Sequence, residues 1–324
     1  MKFGTVRHQD SIKTVLEREG MLVDLYLVRK EMFGDEMPWG KRFLLAYASG
    51  DERVIAVCSQ AISMDLSSLP TLCEEGVEFL PPLPDARQVH AVGLNFVDHC
   101  EEQGVKPPQE PRIFSKLVSS LIGHRMPICH WGITKELDYE GELAVVIGKK
   151  GRLISEDEAL DFCFGYTIMN DVTARDLQRN DRQWTRSKGL DTFGPMGPFI
   201  ATLDEVPDPD NLKITTIVNG EVRQDSSTQK MTFCVSKLVS YISTAITLEP
   251  GDIISTGTPA GVGVFRSPPV FLKAGDVVRI TIGNIGTLEN EVVSEEGFLR
   301  RPVPHPPNPL SIPLSSPQKG RTIW

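Results

Sequence analysis

Leu137-Asp-Tyr-Glu-Gly-Glu-Leu-Ala-Val-Val-Ile-Gly148 sets three acids ahead of an unbroken apolar run. Side chains alternate faces along a strand, so Asp138, Glu140 and Glu142 share one side, and Glu142 stands with Ala144 and Val146, directed toward the interior. Like charges crowded against an apolar interior are costly unless a cation neutralises them or their pKa values rise. The spacing therefore suggests a bound metal. Carboxylates are hard oxygen donors suited to Mg2+, Mn2+ or Ca2+, and the cluster has no His or Cys to favour zinc. A strand end carrying ordinary solvent-facing acids fits the same spacing equally well.

Downstream, Asp171 ends the strand-like Phe162 to Asn170 and precedes the helix-like Thr173 to Arg179. Asp is a good helix N-cap, but Thr173-Ala-Arg-Asp176 has capping-box spacing, which leaves Asp171 free as a third ligand. Upstream, the strand-like Val89 to Val92 turns through Gly93-Leu-Asn95 into a predicted helix, Phe96 to Gln103, stopped by Gly104. That helix puts His99 and Glu102 on one face, where a carboxylate can orient an imidazole and raise its basicity. Such pairs are also common on exposed helices. Lys188, in the Gly- and Pro-rich Arg186 to Pro198, reads equally as a solvated loop charge. Thr256-Gly-Thr-Pro-Ala-Gly-Val-Gly263 has amides suited to a carboxylate or phosphate, yet lacks a P-loop ending and is as readily a plain tight turn.

Taken in order, Gly93 to His99, Asp138 to Gly148, Asn170 to Gln178 and Thr256 to Gly263 resemble the fumarylacetoacetate hydrolase family, with the match running from about Asp85 to Val293. The resemblance implies an α+β, predominantly β protein: a mixed β-roll or β-sandwich catalytic domain with a small N-terminal domain, assembled as a homodimer. It further implies one divalent cation, Mg2+ with Ca2+ or Mn2+ as alternatives, on Glu140, Glu142 and Asp171, with Asp138 supporting them from behind. His99 and Glu102 would ride on a helix closing over the site. Gln178 and Lys188 would orient water and stabilise substrate oxygens, and Thr258, beside Gly257, would contact a substrate carboxylate. Arg175 could pair with the acidic site instead of touching substrate. Phe96 stands where many members of the family have Tyr.

The implied activity is hydrolysis of a carbon–carbon bond in small 2-oxo or 1,3-dicarbonyl acids, of acylpyruvate or fumarylacetoacetate type. Tautomerisation or decarboxylation of oxaloacetate on the same site is the alternative, and a weakly active metal-binding interaction protein is a rival of another class.

The rest of the chain bounds these readings. Its 324 residues, 40% of them apolar, suit a globular protein rather than a disordered or fibrous one. Lys plus Arg number 34 against 43 Asp plus Glu, a net charge of -9 that disfavours a nucleic-acid partner. No apolar run reaches bilayer length, so no membrane association is expected. Six scattered cysteines suggest a reducing compartment, with the cytoplasm expected and mitochondria the alternative.

Three segments are expected: residues 1–84 as N-terminal domain and connector, 85–296 as catalytic domain, and 297–324 as an extended, disordered proline-rich tail. Within the first, Ile12 to Glu19 reads as a helix, while Met21 to Val28, Phe43 to Ala48 and Arg53 to Cys58 read as strands. Asn219-Gly220 marks a hairpin.

Overall fold

The computed structural model describes residues 1–300. The run Gly141–Ile147 is a central strand, and it is apolar throughout because both of its faces are covered. Leu143, Val145 and Ile147 pack toward Ile214, Val278 and Ile280, whereas Ala144 and Val146 pack with Phe3, Val54 and Val57.

Gly141–Ile147 lies between Cys163–Asn170 and Ile253–Ser255, antiparallel to both. Ile253–Ser255 then pairs in parallel with Val89–Gly93, which pairs with Arg112–Lys116 at the sheet edge. In the other direction Cys163–Asn170 leads through Ile200–Thr202 to Lys2–His8, Ser11–Arg18, Met21–Asp24 and Thr71–Leu72. A second sheet runs in the order Glu221–Ser227, Lys213–Val218, Val277–Ile282, Gly286–Ser294, Ile128–His130 and faces the first across the core. The fold is α+β and predominantly β, as the sequence implies.

The hairpin expected at Asn219-Gly220 is present, with both residues at positive φ between Lys213–Val218 and Glu221–Ser227. The N-terminal expectations are reversed. Ser11–Arg18 is a strand, paired along its length with Lys2–His8, so sheet pairing overrides the helix-favouring Leu-Glu-Arg composition. Only Met21–Asp24 of the next run is strand. Asp24 caps a helix, Leu25–Phe33, by accepting from the Leu27 amide. The runs at Phe43 and Arg53 lie in helices Gly40–Ala48 and Glu52–Ser63, the latter capped by Asp51. Short continuous apolar runs have no period that separates helix from strand, and here caps and packing against the sheet select the helix.

The first residues of the expected tail are helical. Ser294 caps a short helix, Glu295–Leu299, and Phe298 stacks edge-on to Trp131 at 5.5 Å. The rest of the proline-rich segment, from Arg301, lies outside the described residues. Among the described residues no helix is long and apolar enough to cross a membrane, and all six cysteines are free thiols.

Candidate metal centre and active site

Glu140 precedes the central strand and Asp171 follows its neighbour, in a register that pairs Gly141 with Asn170. Two bonds fix the junction: the Asp171 amide donates to the Glu140 carbonyl at 2.8 Å, and the Glu140 amide donates to Asn170 Oδ1 at 3.0 Å. Glu142 sits one strand residue on. One oxygen from each of Glu140, Glu142 and Asp171 lies within 4.8 Å of the others, and all three side chains are buried. Gly141 separates the two glutamates because a Cβ there would lie 2.4 Å from Thr216 Oγ1.

Three buried cations surround the acids. Lys188 Nζ donates to Asp171 Oδ2 at 2.6 Å, Glu140 Oε2 at 2.8 Å and Thr173 Oγ1 at 2.8 Å, so all three of its protons are engaged inside the cluster. Lys116 Nζ donates to Asp171 Oδ1 at 2.7 Å and to the Lys188 carbonyl. Arg175 Nε donates to Asp138 Oδ2 at 2.8 Å, and its Nη2 lies 2.7 Å from Glu140 Oε1. Asp138 faces away from the other acids, accepting from Arg175 and the amides of Tyr139, Gly263 and Val264.

Four buried carboxylates therefore meet three buried cations. Burial opposes ionisation of Glu140, but Lys188, Arg175 and His99 outweigh it and bring its pKa down to about 2. For Glu142 the balance reverses: burial, then Asp171 and Glu140, outweigh Lys188 and the Ser255 hydrogen bond and push its carboxyl well above the ordinary range. Burial opposes the charge on Lys188 as well, yet Asp171 and Glu140 hold its pKa above the usual lysine value. Both hydrogen bonds to Glu142, from Ser255 Oγ and the Gly257 amide, fall on Oε2, which leaves its other oxygen free to ligate. An all-oxygen donor set with one uncompensated carboxylate suits a hard divalent cation.

Above the acids opens a cavity of about 360 Å³, lined by Glu140, Glu142 and Asp171 together with His99, Gln178, Lys188 and Thr258. His99 lies in the short helix Val97–Glu102, and its Nδ1 is 2.6 Å from Glu102 Oε1. The other Glu102 oxygen accepts the Gly261 amide at 2.8 Å, and Asp98 accepts from the Ala260 amide and Lys230, so the helix is tied to the Gly-rich loop. Because Glu102 is an acceptor, the Nδ1 proton belongs to His99 and Nε2 is left as the basic nitrogen. Gln178 Oε1 accepts from Arg175 at 3.2 Å. Thr258 donates to the Gly141 carbonyl and accepts from Gln224, which also accepts the Gly141 amide.

Of the nine site residues expected from the sequence, seven line the cavity, and Glu102 stands behind His99. Gly257 lies behind Glu142 with its amide already engaged. The expected Thr173 capping box does not form: Thr173 Oγ1 donates to the Asp171 carbonyl, and Asp176 accepts from Thr134 and Lys135. Asp171 is nonetheless free of capping. Lys188 ends the helix Trp184–Lys188 and is buried, not solvated. Lys116 escaped the sequence reading. Its one signal is its place two residues after Phe114 on an edge strand, and an isolated lysine there reads as a surface charge.

A β-rich scaffold that buries a carboxylate triad beneath a positioned histidine is the arrangement of an enzyme with an acidic active centre. The chain belongs to the fumarylacetoacetate hydrolase family, whose model, fumarylacetoacetate (FAA) hydrolase C-terminal, matches residues 88–293. It is 48% identical over 224 residues to oxaloacetate tautomerase fahd2, mitochondrial, from Xenopus laevis, covering 68% of this chain and 70% of the relative. Among solved structures it is similar to fumarylacetoacetate hydrolase from Exiguobacterium antarcticum, with TM-score 0.76 and 38% identity over 91% of this chain and 99% of that one. It is also similar to maleylpyruvate hydrolase from Sphingobium sp. SYK-6, with TM-score 0.74 and 27% identity over 91% of this chain and 100% of that one.

Proposed function

We propose that this enzyme interconverts the keto and enol forms of a small 2-oxo acid, oxaloacetate foremost, with Mg2+ held by Glu140, Glu142 and Asp171. The observation that carries this reading is the buried carboxylate triad flooring the cavity onto which His99 opens. The name of the Xenopus laevis relative supports the tautomerase alternative over the hydrolase reading that the family resemblance first implied.

When bound to Glu140, Glu142 and Asp171, the cation would supply a Lewis acid to the 2-oxo acid. His99 Nε2, with Nδ1–H given to Glu102, takes the proton from carbon 3 in the ketone-to-enol direction, leaving an enolate, and the imidazolium then returns that same proton to the enolate oxygen. The reverse direction retraces the same transfers. Lys188 acts as a fixed positive charge near the oxygen that becomes anionic, since its protons are engaged by Glu140, Asp171 and Thr173. Gln178 and Thr258 offer polar contacts on the cavity wall. The Phe265 ring lies edge-on to His99 at 6.0 Å.

Carbon–carbon hydrolysis is the second reading, favoured by the Gly261–Glu102–His99 relay, which equally positions a base for water, and by the likeness to maleylpyruvate hydrolase. A homodimer belongs to this reading, as does mitochondrial residence, which the relative's name supports over the cytoplasmic expectation. The test is to strip the protein with EDTA and follow loss of enol absorbance from oxaloacetate with and without Mg2+, analysing products. Mg2+-dependent loss with oxaloacetate recovered intact supports tautomerisation. Pyruvate with carbon dioxide, or cleavage of an acylpyruvate with no effect on the enol, replaces it with decarboxylation or hydrolysis.

A further inference from the structure

Four cations line the cavity: Arg112, Arg175, Arg179 and Lys188. Three are committed. Arg175 pairs with Asp138 and Glu140, Lys188 with Glu140 and Asp171, and Arg179 Nη2 lies 2.7 Å from both oxygens of Glu136. Arg112 is exposed and makes no side-chain hydrogen bond or ion pair with any described residue. Two acids on the short helix, Asp98 and Glu101, share an electrostatic neighbour with it. Of these, Asp98 is taken by Ser226 and Lys230, leaving Glu101, which with Arg112 and Asp98 acts on the Cys100 thiol.

Its placement follows from the edge strand Arg112–Lys116. Residues 112, 114 and 116 share one face. Lys116 reaches Asp171 at the floor, and Phe114 lies in the wall, 5.2 Å from Lys188 Nζ and edge-on to Trp184. Arg112, about 13 Å of strand beyond Lys116, is therefore at the mouth. Opposite Arg112 in the register is Gly93, where a Cβ would lie 2.6 Å from Trp184, so the indole closes the wall beside the guanidinium. The cavity thus has a cation centre at one end, an aromatic wall, and a guanidinium with free donors at the other.

We infer that Arg112 is a specificity-determining residue that binds the distal carboxylate of a dicarboxylic 2-oxo acid whose head group sits at the acidic floor. This rests on the proposed 2-oxo-acid chemistry and names the substrate class within it. A guanidinium matches a carboxylate in a planar, two-pronged fashion, and an unpaired one at a cavity mouth gains most from such a partner.

The test uses the Mg2+-loaded protein with oxaloacetate as substrate and 2-oxobutanoate, which has the same head and length but a methyl in place of the distal carboxylate, as competitive inhibitor. Arg112→Gln is expected to raise the oxaloacetate KM at least about tenfold, with kcat changed less than about threefold and the inhibition constant of 2-oxobutanoate less than about twofold. Arg112→Lys is expected to recover part of the loss. An unchanged oxaloacetate KM, or equal weakening of both ligands, overturns the assignment while leaving the proposed function standing. A wild-type protein that neither turns over oxaloacetate nor binds 2-oxobutanoate overturns both.

Discussion

Lys116 Nζ lies 2.7 Å from Asp171 Oδ1, with both side chains fully buried, so one carboxylate of the triad has an ion-pair partner inside the protein. Burial lowers the Lys116 pKa, and Asp171 opposes that shift. Removing Lys116 leaves the buried Asp171 with Lys188 as its remaining cation. Lys116→Met is expected to destabilise the metal-free protein by about 1–3 kcal/mol, part of which a saturating divalent cation restores. Thermal melting in EDTA and in excess Mg2+ checks both effects, and an equal loss under the two conditions goes against the linkage.

His99 makes no hydrogen bond to the proposed ligand oxygens, and the role proposed for it is proton transfer. His99→Ala is expected to lower kcat by about 10²–10⁴ while divalent affinity stays near the wild-type value. Steady-state kinetics and metal titration on the same preparation separate the two quantities. Loss of metal affinity would assign His99 a structural role instead.

Gly141 is the hinge between the two glutamates. In Gly141→Ala the added methyl meets Thr216 Oγ1 and Gln224, whose Oε1 accepts the Gly141 amide. A cost of about 1–3 kcal/mol is expected, with weaker divalent binding, because Glu140 and Glu142 move relative to each other. Denaturant melts and metal titration provide the check, and wild-type values in both would show that the spacing tolerates a side chain.

These features differ in how well they could be read from sequence. Glu140 and Glu142 were legible because strand parity and the family motifs agree on them, Asp171 rested on the motif and on a capping box that does not form, and Asn219-Gly220 was legible because only a few residues accept positive φ at both turn positions. The helices at Gly40–Ala48 and Glu52–Ser63 were not, since runs such as Phe43 to Ala48 have no decisive period and the sheet face they cover is remote in sequence. Ser11–Arg18 failed for the converse reason, a helix-favouring composition overridden by long-range pairing. Lys116 and the engaged state of Lys188 depend on which side chains converge after folding, which no local pattern encodes.

Away from the site, His124 gives the fold a pH dependence. Burial first, then Arg125 against the opposing Glu289, pushes its pKa down to about 4 from 6.5, and Nδ1 accepts the Glu289 amide. The folded state therefore keeps the imidazole neutral while the unfolded chain takes up a proton near pH 6.5. The stabilisation is complete above that pH and is lost as the pH falls toward 4, amounting to about 3 kcal/mol. His124→Gln should shrink the stability difference between pH 7.5 and 4.5 by roughly that amount. Chemical denaturation of both proteins at the two pH values measures it, and parallel losses would show that His124 does not titrate as described.

The central claim is that Glu140, Glu142 and Asp171 form one divalent-cation site, and calorimetric titration of Mg2+ or Mn2+ into EDTA-stripped protein tests it most directly. The account predicts one ion per chain in the wild type, and at least about a hundredfold weaker binding in Glu140→Ala with the fold retained by circular dichroism. No binding to the wild type, or unchanged binding to Glu140→Ala, would contradict it.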